Sequence, residues 1–151
     1  AQAAAASIKD TIIAGDGDDK ITIAADVAAK QLYTADVTLG GGDDTIDYTV
    51  ALTGQSALIV RGFGEGDDIS TFTAAAMADE AEAVASIKAA FDITVSQDAV
   101  TLSADKTVAF AGGDAYIFTG VFADTEGGIR LVGVAAGDAT GIVGGADFAL
   151  A

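Results

Sequence analysis

A turn of glycine and aspartate, running directly into an apolar residue, returns three times along this chain and dictates what it can fold into. It reads Gly15-Asp16-Gly17-Asp18-Asp19-Lys20-Ile21, then Gly40-Gly41-Gly42-Asp43-Asp44-Thr45-Ile46, then in altered form Gly64-Glu65-Gly66-Asp67-Asp68-Ile69. The spacing is nearly even: Asp19 to Asp44 is 25 residues and Asp44 to Asp68 is 24. Glycine lets the backbone take left-handed angles and turn its carbonyls to one side. A hard divalent cation takes about six to eight oxygens from carboxylates and carbonyls. The apolar residue that follows pins each turn to a core. Such a turn reads as a calcium site.

Asp-Gly and Gly-Gly pairs also punctuate ordinary hairpins with no metal present. A single turn would favour that reading; recurrence of glycine, aspartate and apolar residue at matched positions favours the ion. Around the turns the first half alternates like strand, at Thr11 to Ala14, Lys20 to Ala24, Val37 to Leu39, Thr45 to Leu52 and Ala57 to Val60. Asp26 to Tyr33 reads as one helical turn or a broad loop.

The frame Gly-x-Gly-x-Asp-x-apolar resembles the nonapeptide repeat of the repeats-in-toxin (RTX) family over roughly residues 7–72. The resemblance implies a parallel β-roll, with each glycine turn laid on the next and calcium between them. Ala14 and Leu39 stand where the repeat has its first glycine, and the third turn has its apolar residue one place early. A nine-residue step occurs once, from Asp10-Thr11-Ile12 to Asp19-Lys20-Ile21. The longer period fits coils widened by extra strand with calcium along one edge, so a short solenoid and a β-sandwich with calcium turns both stay open. The family frame assigns carboxylates to Asp19 and Asp44, with Asp10 as a weaker partner. It assigns carbonyls to Gly15, Gly17, Gly40 and Gly42, and a last site to Asp68 with Gly64 and Gly66. Asp16, Asp18, Asp43 and Asp67 are left as solvent-side charges.

The piece Ile59-Val60-Arg61-Gly62-Phe63-Gly64-Glu65-Gly66-Asp67-Asp68-Ile69 resembles the segment that closes RTX arrays in serralysin-type secreted proteases. After it, residues 73–91 read as a helix, rich in alanine with Glu80, Glu82 and Lys88. Met77, Ala81, Val84, Ile87 and Phe91 would form its apolar face. The last third, residues 92–151, returns to strands at Asp92 to Val95, Ala99 to Leu102, Thr107 to Phe110, Ala115 to Phe122 and Ile129 to Val134, an antiparallel meander. Asp124 and Glu126 read as a solvated hairpin turn. The strands from Asp114 to Val134 resemble the C-terminal strands of RTX proteins exported by type I secretion. The ending Asp147-Phe148-Ala149-Leu150-Ala151 is similar to the uncleaved signal of that route. The opening residues 1–6 form an alanine-rich arm without the basic start and apolar middle of a secretory signal. The expected location is extracellular.

The formal charge is −16, from 23 acidic and 7 basic residues, and most of the acids are aspartate. That skew points to turns and metal ligands. The repulsion opposes compaction unless a cation neutralises it. It also removes nucleic acid as a partner, because no basic patch meets phosphate. With 0 His and 0 Cys, zinc centres of the usual kind and His-assisted nucleophiles are excluded. No run reaches the ~18 apolar residues of a membrane span. The paired carboxylates lie in glycine turns, where ion binding is simpler than acid–base chemistry, so no enzyme is expected. A hydrophobic share of 51% and strands poor in lysine and proline suit a protein that pairs with itself. The reading is a mainly β, calcium-binding structural protein that self-assembles into a surface layer or matrix fibre. A cell-surface polysaccharide is a further candidate partner. The alternative is the export and folding module of a larger secreted protein.

Overall fold

A computed structural model describes residues 7–25, 32–50, 55–70, 72–120, 122, 127–136 and 147–149. The elements in chain order are β1 (Ser7–Ile13), β2 (Lys20–Ala25), β3 (Leu32–Thr38), β4 (Thr45–Val50), β5 (Gln55–Arg61) and β6 (Asp68–Ser70). Helix α1 (Glu80–Phe91) follows, then a short 3-10 turn at Gln97–Ala99. The chain closes with β7 (Thr101–Leu102), β8 (Val108–Ala111), β9 (Asp114–Phe118), β10 (Gly127–Val132) and β11 (Asp147–Ala149). Among the described residues the fold is mainly β, with one α-helix.

Two sheets carry these strands, in the orders β1-β3-β5-β10-β9-β8-β7 and β11-β6-β4-β2. Through β6 the chain changes sheet at every strand, and each strand pairs in parallel with the next one in its own sheet. Ser7 stands beside Leu32 and Gln55 in one sheet, and Lys20 beside Thr45 and Asp68 in the other. The glycine turns are the links from β1 to β2, β3 to β4 and β5 to β6, so all three lie along one edge. Strand alternation then sends Ile23, Ile46 and Ile69 inward from one sheet to meet Val37, Leu58 and Val60 from the other. Ile46, Ile69, Leu58 and Val60 are fully buried.

The antiparallel meander is present as β7 to β10, and its last strand continues the first sheet by pairing in parallel with β5. Arg130 of β10 donates to Asp114 of β9 at 2.8 Å, and Asp114 also accepts the Gly133 N–H at 2.9 Å. β11 caps the second sheet by pairing antiparallel with β6. Expectations for residues 1–6, 26–31, 51–52, 123–126 and 150–151 lie outside the described residues.

The helix is shorter than alanine content suggests. Before Glu80, Ala75 N–H donates to Phe118 O at 2.8 Å and Met77 N–H to Lys106 O at 2.9 Å, which holds that segment against the meander. Asp79 then caps the helix, accepting the Glu82 N–H at 2.9 Å. Of the expected face, Ile87 is buried and Val84 and Phe91 pack against the same cluster, joined by Ala83, Ser86 and Ala90; Ala81 is exposed, and Met77 packs from outside the helix. Asp92, at φ 55, ends the helix with its N–H on Lys88 O, so no strand runs from Asp92 to Val95. Asp79→Ala is expected to cost about 1 kcal/mol, read as a lower urea midpoint with an unchanged slope.

Candidate metal centre

Stacking of the glycine turns follows from the strand register, and it is tight. A side chain at Gly40 would run into the Gly15 carbonyl oxygen, and one at Gly42 would sit 2.5 Å from Gly17 C and 2.6 Å from Gly17 O. Gly42 holds φ at +130° and Gly17 at +117°, angles that L side chains rarely take. Main-chain bonds join the layers: Ala14 N–H to Thr38 O at 2.9 Å, Thr45 N–H to Asp19 O at 2.8 Å and Asp68 N–H to Asp44 O at 2.8 Å.

Carboxylates run up the same edge. Asp44 Oδ1 accepts the Asp19 N–H at 2.9 Å, and Asp67 Oδ1 accepts the Asp44 N–H at 2.9 Å. Each therefore leans toward the preceding turn. Asp19 Oδ2 instead accepts the Gly15 N–H of its own turn at 3.2 Å, and Asp67 Oδ2 the Gly64 N–H at 2.8 Å. Asp18 Oδ1 accepts the Asp43 N–H at 3.0 Å on the solvent side.

Among the described residues two buried carboxylate oxygens take no hydrogen bond, Asp44 Oδ2 and Asp68 Oδ1, the latter on a residue that has other interactions. Asp44 is 1% exposed, and its Oδ2 has no hydrogen-bond partner among the described residues. Leaving a buried polar atom unmatched costs roughly 1–3 kcal/mol, and more when it is charged. No hydrogen bond among the described residues reaches the carbonyls of Gly15, Gly17, Gly40 or Gly42. The ion pairs Lys9–Asp36, Arg61–Asp36, Lys88–Asp92 and Arg130–Asp114 all lie away from the turns. Carboxylate and carbonyl oxygens without donors are the chemistry of a hard-cation site. Among the described residues no three acidic side chains form a cluster of their own. A cation here would therefore draw on main-chain carbonyls as well as on Asp44.

Two assigned ligands sit differently from the sequence frame. The register sets Asp67, not Asp68, in line with Asp19 and Asp44, and Asp67 is buried at 4% exposure instead of facing solvent. The cause is the place of the glycines: Gly17 and Gly42 stand four residues before Ile21 and Ile46, but Gly66 stands three before Ile69, so the glycine frame points one residue too far. Gly66 falls beside Asp43, whose carboxylate fills the space a side chain there would need. Burial of Ile69 fixes this register, so alignment on the apolar residue would have found Asp67. Asp10 lies within β1, away from the turn. Burial, then the hydrogen bond and charge of Asp10, push the Tyr33 phenol up to about 12. Asp16, Asp18 and Asp43 are exposed, as expected of solvent-side charges.

Comparison with protein-family models, with curated proteins and with solved structures finds no match to this chain.

Proposed function

We propose that this chain is a calcium-binding structural protein of the extracellular space, which orders and self-assembles when calcium enters its stacked turns. The observation that carries the reading is Asp44 Oδ2, buried without a donor at the middle of three stacked glycine turns. In this reading the strands up to β6 form a short parallel β-roll, with ions along the glycine edge only, and β10 and β11 close its far end. Asp44, Asp19 and the glycine carbonyls hold the ion, and Asp67 supplies the last carboxylate of the ladder. Self-repulsion of a chain at −16 loosens the calcium-free state. A cation that binds only the folded form converts its binding energy into folding energy. No helix among the described residues is long and apolar enough to cross a membrane.

The export-module reading has one observation in its favour: β11, close to the chain's end, folds onto β6 beside the last turn. Solution mass separates the two. Light scattering on a sizing column is run in chelator and in millimolar calcium at matched ionic strength. The expected result is growth from the 14.8 kDa monomer only when calcium is present. A compact calcium-bound monomer selects the export module, and an unchanged mass and melting point on adding calcium removes the calcium reading.

A further inference from the structure

The sheet edges are unequal, and the two long ones lie at the same end of the molecule. The first sheet ends in β1, of 7 residues, and β7, of 2; the second in β2, of 6, and β11, of 3. Unpaired strand edges recruit further strands, and natural proteins shorten or cover the edges they need to silence. Here the far end is covered by the meander and by β11, whereas no described strand pairs outside β1 or β2.

The ladder bonds show which groups point outward. Ala14 N–H donates to Thr38 O, so even-numbered residues of β1 face β3, and the N–H groups of Lys9, Thr11 and Ile13 face away. Thr45 N–H donates to Asp19 O, so odd-numbered residues of β2 face β4, and the N–H groups of Lys20 and Thr22 face away. Ile13, the large apolar side chain most exposed among the described residues at 77%, lies on this end.

We infer that the β1–β2 end binds the same end of a second copy, so that β1 pairs antiparallel with β1 and β2 with β2 about one twofold axis normal to both sheets. This names one contact within the assembly proposed above, the one that makes its pairs, and rests on that reading. Charge favours the arrangement. Antiparallel pairing sets the Lys9 end of each β1 beside the Ile13 end of the other, where the partner chain enters its exposed Asp16 and Asp18. The Lys9 side chain is 61% exposed, paired at 3.7 Å only with Asp36 of the neighbouring strand, and the twofold would set it beside the partner's acidic turn. The same symmetry holds the two acidic turns at opposite ends of the joint. A head-to-tail joint would need a long edge at the far end, which β7 and β11 do not provide. The contact is therefore closed. Edges about 20 Å long on sheets about 10 Å apart present roughly 500 Å² per copy, under the ~800 Å² of a standard interface. Main-chain bonds and charge must carry it, so pairing will depend on concentration and salt.

Proline tests the edge without disturbing the interior, because Thr11 and Thr22 each spend an outward N–H. The double variant Thr11→Pro, Thr22→Pro is compared with the parent chain by sedimentation in millimolar calcium, alongside a calcium titration followed by circular dichroism. The expected result is an unaltered titration with the paired species lost. A folded variant that assembles like the parent overturns this contact and leaves assembly standing. A parent that takes up calcium yet stays monomeric removes the assembly reading and this contact together. Lys9→Glu, which keeps every main-chain bond, serves if the prolines prevent folding. It is expected to weaken pairing about tenfold at low salt, and unchanged pairing in that variant also overturns the proposal.

Discussion

Replacing Gly42 by alanine will unfold this protein more effectively than any exchange at the other glycines of the first two turns except Gly40. Two separate costs add there. At φ +130° a β-carbon forces the backbone into a region that costs roughly 1–3 kcal/mol. The new methyl would also stand 2.6 Å from Gly17 O, so two stacked turns must separate. Main chain, not a flexible side chain, is in the way. The expected loss is about 3 kcal/mol or more, a large share of the roughly 5–15 kcal/mol that holds a domain. Gly15 and Gly17 supply the controls. A methyl at Gly15 meets nothing within 4 Å and needs no positive φ, so Gly15→Ala should change stability by under about 0.5 kcal/mol. Gly17→Ala keeps the open space but carries the strain of φ +117°, so it should fall between. Urea denaturation of the three variants in calcium gives the order. Equal losses at Gly15 and Gly42 would mean that the turns do not stack.

The same geometry explains what a reader of the sequence can and cannot see. Strand starts at Lys20 and Thr45 are visible because each follows a Gly-x-Gly-x-Asp turn and opens with an alternating pattern. The third turn misleads because its glycines sit one place nearer the apolar residue: Gly66 is three residues before Ile69, whereas Gly17 and Gly42 are four before Ile21 and Ile46. Counting from the glycines selects Asp68, while the core selects Asp67, since Ile69 must reach the position of Ile21 and Ile46. Burial outranks turn spelling, and only the apolar residue reports it. The helix start misleads for the opposite reason. Alanines 74–76 favour helix locally, but Ala75 and Met77 give their N–H groups to Phe118 and Lys106, far along the chain. The local signal that did matter, Asp79 three residues before Glu82, is a short capping pattern inside a longer helical one. Pairing of β10 with β5, which joins the meander to the first sheet, has no local signature at all. Neither does the orphaned oxygen of Asp44, because it depends on which donors the neighbouring turns present.

That oxygen makes Asp44→Asn the sharpest probe of the ion. Asparagine keeps the shape and an acceptor for the Asp19 N–H, so the ladder bond of 2.9 Å survives. It removes the buried negative charge. In chelator that change relieves a carboxylate from which Oδ2 has no donor, so the variant should be as stable as the parent or slightly more so. In calcium the sign reverses. A ligand present at about 100 times its dissociation constant stabilises the fold by roughly 2.7 kcal/mol, which for a chain of this size raises the melting point by about 5–10 °C. The parent should show that rise between chelator and calcium, and Asp44→Asn should lose most of it. Asp43→Asn, one residue earlier and exposed, should keep most of its rise. An Asp44→Asn protein that gains as much from calcium as the parent would place the ion elsewhere. A parent that gains nothing would remove the ion from this site. The crossing of the two melting curves, lower in calcium and equal or higher in chelator, is the signature of a carboxylate held in place for a cation. A residue serving only the packing of the turn would move both curves the same way.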